Sequence, residues 1–114
     1  MPDGSYIGSV EGFPLATPWR GKKFDAKAHA GINLLRQEDT TIKKYSFKTY
    51  VSESYVDYAH QVIHIDYNIP QNPFWLRIFQ DEIVLTSTDN FLGRLEVRPI
   101  PQLTFSLGYF TLEK

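Results

Sequence analysis

Apolar residues in this chain alternate with polar ones more often than they recur at helical spacing, and that period of two decides what it can fold into. Seven Gly and seven Pro cut the alternating stretches short. The segments read as strands are Ser5 to Val10, Gly31 to Gln37, Thr41 to Val51, Tyr58 to Ile69, Phe74 to Phe79, Glu82 to Thr88, Phe91 to Arg98 and Leu103 to Leu112. Turn chemistry separates several of them, at Asp3-Gly4, Gln37-Glu38-Asp39, Asp89-Asn90 and Pro99-Ile100-Pro101. Two places could hold a single helical turn, Asp25 to Ala30 behind a capping Asp and Ser52 to Ala59. About eight short antiparallel strands must manage their edges, and closing the sheet does so without extra residues. The expectation is an all-β, small antiparallel up-and-down β-barrel.

A chain of 114 residues is sized for one domain, residues 1–114, that buries roughly 60–70% of its unfolded surface. Lys plus Arg number 12 against 13 Asp plus Glu, so no net field draws nucleic acid or an acidic membrane, and neither is expected as a partner. Cysteine is absent, which removes thiol catalysis, disulfides and Cys-based zinc sites. The opening MPDGSYIGSVEG has neither the basic start nor the apolar run of a secretory signal, and the chain reads as a soluble cytoplasmic protein. No P-loop, dinucleotide fingerprint or nucleophile elbow is legible, so no cofactor is expected. Aromatic residues reach 15%, a supply of contact area that suits sheets and ligand pockets alike.

Three constellations could carry chemistry. In NPFWLRIF, read as a strand, Phe74, Leu76 and Ile78 share one side while Trp75, Arg77 and Phe79 share the other. Pointing inward, Arg77 between two rings would receive a carboxylate through its planar fork. Pointing outward, it would lie wet on the surface or pair with Asp81 or Glu96. In His60 to Asn68, one strand face carries His60, Val62, His64, Asp66 and Asn68. There Asp66 could hold His64 in one tautomer for use as a base, or the face could simply be solvated. A metal would need Asp57, Glu53 or His29 as a further ligand, and nothing in the sequence requires one. The third, Trp19-Arg20-Gly21-Lys22-Lys23-Phe24, could bind phosphate, or could be a strand start with one ring packed on the barrel end and its lysines in solvent.

Four stretches carry a family likeness: Pro18 to Phe24, Tyr67 to Arg77 with its prolines, Phe91-Leu92-Gly93, and Leu107-Gly108-Tyr109-Phe110-Thr111-Leu112. In this order they resemble a family of small, mostly bacterial proteins of unknown function, associated with a Gly-x-Trp-x-Gly segment. Here that segment reads Gly4-Ser5-Tyr6-Ile7-Gly8, with Tyr for Trp, and Tyr67-Asn68 stands where the family tends to have Tyr-Asp. The resemblance implies a lipocalin-like (calycin) barrel with an internal pocket for one small ligand.

Three functions follow as expectations. The first is binding of a small apolar or aromatic, anionic ligand, with Arg77 as counter-charge, Trp75, Phe79, Tyr109 and Trp19 as contact area, and His64 with Asp66 as polar partners. The second is a cofactor-free isomerase, cyclase or hydrolase using His64, Asp66 and Arg77. The third is a pocketless protein that forms a homodimer through exposed aromatics.

Overall fold

In the computed structural model the described residues are 1–10, 18–57 and 59–114. They form β1 (Gly4–Val10), β2 (Trp19–Asp25), β3 (Ala30–Gln37), β4 (Thr40–Glu53), β5 (Gln61–Asp66), β6 (Phe79–Ser87), β7 (Asn90–Ile100) and β8 (Leu103–Glu113). Each strand pairs antiparallel with the next, and β8 returns to β1, giving a closed eight-stranded up-and-down barrel. The all-β barrel expected from the alternation, in the lipocalin-like form that the resemblance implied, is the architecture the chain adopts.

One strand, however, stands in the place of another. The expected strand Phe74 to Phe79 does not form. The amides of Leu76, Arg77 and Phe79 bond instead to the carbonyls of Pro73, Phe74 and Leu76, three residues back, which winds this stretch into consecutive turns. Pro70 and Pro73 fix φ and lack an N–H, and a run as apolar as Phe-Trp-Leu has no alternation strong enough to overrule them. Asn72 pins the loop, donating to the carbonyls of Ser46 (2.8 Å) and Tyr67 (2.9 Å). The strand gained is β2, whose sequence WRGKKFD hides its inward face behind a charged composition. β5 stops at Asp66 rather than Ile69, and the expected start at Tyr58 lies outside the described residues.

No helix occurs among the described residues. Asp25 to Ala30 closes as a turn in which Asp25 Oδ1 accepts from the Ala28 amide and the Ala26 carbonyl accepts from His29. Ser52 and Glu53 belong to β4.

The barrel interior is largely aromatic. Tyr6, Phe24, Phe47 and Tyr67 form an edge-to-face chain with centroids 5.6, 5.5 and 5.8 Å apart, joined by Phe91, Ile65, Ile83 and Leu112. Large rings fit only because glycines stand opposite them. A Cβ on Gly31 would lie 2.5 Å from the ring of its cross-strand partner Phe47, one on Gly93 2.1 Å from that of its partner Phe110, and one on Gly8 2.2 Å from Trp19. At Gly21 the backbone itself is special, with φ at +146° and a virtual Cβ 1.9 Å from the Tyr6 carbonyl oxygen. Gly21→Ala is therefore expected to lower stability by about 3 kcal/mol or more, read as the urea midpoint. Gly108→Ala, where an added methyl meets nothing within 4 Å, should leave the midpoint unchanged.

Candidate functional site

β2 sends one of its lysines into the barrel. Lys22 is 2% exposed, and the reading that both lysines of this stretch lie in solvent holds only for Lys23. An ammonium taken from water loses several kcal/mol of hydration and needs an acceptor for each of its three N–H bonds. Lys22 Nζ finds Asn33 Oδ1 at 2.8 Å, the Tyr67 hydroxyl at 2.6 Å and Asp81 Oδ2 at 3.0 Å. The rings of Trp19, Phe47, Tyr67 and Phe110 surround it, with centroids 5.6, 5.1, 5.3 and 5.7 Å away, adding cation–π attraction that strengthens with desolvation. Burial still lowers the Lys22 pKa, with Asp81 opposing the shift.

The partners satisfy one another. Asn33 Oδ1 accepts from Lys22 and from Trp19 Nε1 (3.0 Å), which can only donate. Asn33 Nδ2 donates to the Tyr45 carbonyl (3.1 Å) and to the Tyr67 hydroxyl (3.0 Å). Tyr67 in turn donates to Asp81 Oδ2 at 3.0 Å. Burial, and then the charge of Asp81, hold the Tyr67 phenol well above its ordinary pKa, so it remains a donor.

Local irregularities aim these groups. In β2, Trp19 pairs with Leu35 and Gly21 with Leu34, leaving Arg20 as an extra residue. Strict alternation from Lys22 and Phe24 would turn Trp19 outward; the bulge brings it to the inner face, where it packs on the core. In β4 the extra residue is Tyr45, at φ 67°, whose carbonyl accepts from Asn33. In β8 it is Leu107.

Beside this cluster lies a cavity of about 410 Å³ lined by Trp19, Lys22, Asn33, Tyr67, Asp81 and Phe110, together with Val10, Leu95 and the 107–109 stretch of β8. β1 ends its pairing with β8 at Val10↔Phe110, so the cavity sits where β8 continues past the end of β1. The empty space above Gly108 belongs to it.

Of the residues singled out from the sequence, Trp19 and Tyr109 line this cavity. Arg77 does not. It is exposed, and its Nε and Nη2 donate to the carbonyls of Asn72 and Pro70, both at 3.0 Å, fastening the loop rather than facing the barrel interior. Its expected acidic partners are engaged elsewhere, Asp81 with Lys22 and Glu96 with Arg94. Arg77, Asp66 and Phe79 meet instead at a surface depression with Arg98 and Gln80, while Trp75 is half exposed against Tyr45.

His64 and Asp66 are not hydrogen-bonded to each other. Asp66 Oδ1 accepts from the Asn68 amide, and Oδ2 lies 3.7 Å from Lys48. His64 is fully buried on the outside of the wall, between the rings of Tyr50 and Tyr55, with Nε2 2.8 Å from the Glu53 carbonyl. Ser54 and Tyr55 lie over this patch. Ser54 Oγ and the Tyr55 amide donate to Glu82, and Arg94 bridges Glu82 Oε1 (3.2 Å) and Glu96 Oε2 (2.9 Å). Burial, then the neighbouring Glu82, push Glu96 up to about 7. Burial pushes Glu82 up as well, but its hydrogen bonds with Glu96, Ser54, Tyr55 and Arg94 hold it below the ordinary value. Among the described residues no three His, Asp or Glu side chains come together as a metal site.

Compared with protein-family models, curated proteins and solved structures, the chain matches none of them.

Lys22→Met leaves the Asp81 carboxylate buried without its cation and is expected to destabilise the fold by about 3–5 kcal/mol. Adding Asp81→Leu should recover most of that loss in the same denaturation experiment. Glu96 has a folded pKa above its ordinary 4.5, so its stabilisation is complete below that pH and is lost as pH rises through about 7. The melting temperature should accordingly fall between pH 5 and pH 8 by more in the native protein than in Glu96→Gln.

Proposed function

We propose that the protein is a binding module for a small apolar or aromatic molecule, held inside the barrel. The observation that carries this reading is the cavity of about 410 Å³ beside the Lys22–Asp81 cluster. Its volume falls in the roughly 300–1,000 Å³ range of small-molecule pockets, and its wall combines apolar surface with a few convergent polar groups, as such pockets do. Solid packing was open to this sequence, since a side chain at Gly108 would enter the space without a clash. The aromatic walls from Trp19 and Phe110 give a flat ligand two faces set at 78° to pack against.

The contact area assigned from the sequence to Trp19 is retained, whereas the Tyr109 ring lies outside, beside its cross-strand partner Arg94; the polar anchor moves from Arg77 to the buried cluster. Lys22 is neutralised by Asp81, so the cluster offers no unpaired positive charge to an anion. A thermal-shift screen of small aromatic and aliphatic compounds should raise the melting temperature. Gly108→Leu, which fills the cavity, should abolish the response while keeping the melting temperature of the ligand-free protein. A response that survives Gly108→Leu would place binding elsewhere.

A further inference from the structure

The hydrogen-bond ledger of the buried cluster limits the kind of ligand it can recognise, an inference that rests on the cavity being a binding site. All three Lys22 donors are engaged. Both hydrogens of Asn33 Nδ2 are engaged, as are Trp19 Nε1 and the Tyr67 hydroxyl. What remains is an acceptor. Asp81 Oδ2 takes the bonds from Lys22 and Tyr67, whereas Asp81 Oδ1 receives no hydrogen bond from any described residue. The Asp81 side chain is 3% exposed and lines the cavity, so the free oxygen can be reached only from within it.

Among the described residues the fully buried side-chain atoms that lack a partner are Thr49 Oγ1 and His64 Nδ1, not Asp81 Oδ1. The Asp81 oxygen therefore stays open to the cavity as an acceptor, where a ligand's donor takes the place of solvent. We infer that the cavity selects neutral, mainly apolar molecules carrying one O–H or N–H donor, such as phenols, indoles or alcohols, which donate to Asp81 Oδ1. An anion would find no free side-chain donor in the cluster and would face the Asp81 charge. A cationic amine on Asp81 Oδ1 would share the carboxylate with the Lys22 ammonium already held on Oδ2, and the two like charges would repel. A neutral donor alone satisfies the oxygen without opening the Lys22–Asp81 pair. The anionic ligand expected from the sequence depended on Arg77 facing inward, and its loop placement removes that support.

Matched probes of equal size test this. Indole and benzofuran differ in having an N–H or an oxygen at one ring position, and 1-octanol and octanoate differ in a neutral donor against an anion. Binding to the intact protein would be followed by calorimetry and by the carbon-13 shift of the Asp81 carboxyl. Indole should bind about tenfold or more tightly than benzofuran, and octanol more tightly than octanoate, because a hydrogen bond to a charged acceptor is among the stronger ones. The Asp81 resonance should move only with the donors. Equal binding within each pair, or a preference for octanoate, would overturn the donor rule while leaving the cavity as a binding site. No binding by any of the four at millimolar concentration would overturn both.

Discussion

The buried contact between Lys22 and Asp81 sets the terms for the rest of the barrel. A cation and an anion placed in an aromatic interior are costly unless they are paired with each other and hydrogen-bonded. Meeting that requirement draws on four strands or strand ends: β2 for the ammonium, β3 for Asn33, the end of β5 for Tyr67 and β6 for Asp81. The cluster thus ties together parts of the wall that are distant in sequence, and fixes which residues face inward on each. A one-residue slip in any of these strands would send its polar member to the outside and leave the others unsatisfied.

Around that contact the molecule makes room by subtraction. Gly8, Gly31 and Gly93 stand where side chains would collide with Trp19, Phe47 and Phe110, and these three rings are among the four that enclose the Lys22 ammonium. Bulges complete the geometry by turning Trp19 inward, offering the Tyr45 carbonyl to Asn33, and adding Leu107 at the cavity. Gly108 is the exception among the inward glycines, since nothing fills the space above it. The contrast between glycines covered by rings and one left uncovered is what distinguishes the cavity from a packed core.

Much of the fold was legible because alternation is a local property. Phe91 to Arg98 lies wholly within β7, and Glu82 to Thr88 overlaps β6 from Glu82 to Ser87 while missing its start at Phe79; the number of strands led to closure. Two stretches misled for opposite reasons. Phe74 to Phe79 is apolar enough for a strand but follows two prolines that commit it to turns, whereas β2 is charged enough that it reads only as a strand start with its lysines in solvent. The site was harder to see, though a signal existed. Lys22 shares its face with Phe24, Asn33 with Leu35, and Asp81 with Ile83, so each is a polar exception on an apolar face. That the exceptions meet depends on register and on bulges, neither of which a single sequence shows. His64 was noticed for its chemistry, but it is buried on the outer wall between the rings of Tyr50 and Tyr55.

The functional account therefore stands on whether Lys22 is a shielded ammonium held by three acceptors. Side-chain nitrogen-15 NMR of uniformly labelled protein measures this directly. The Lys22 NH3+ group should give a resolved signal at neutral pH, with proton exchange much slower than in the exposed Lys23 and Lys27. Exchange as fast as in those lysines, or the signal of a neutral amine, would contradict the closed cluster from which the cavity's chemistry has been derived.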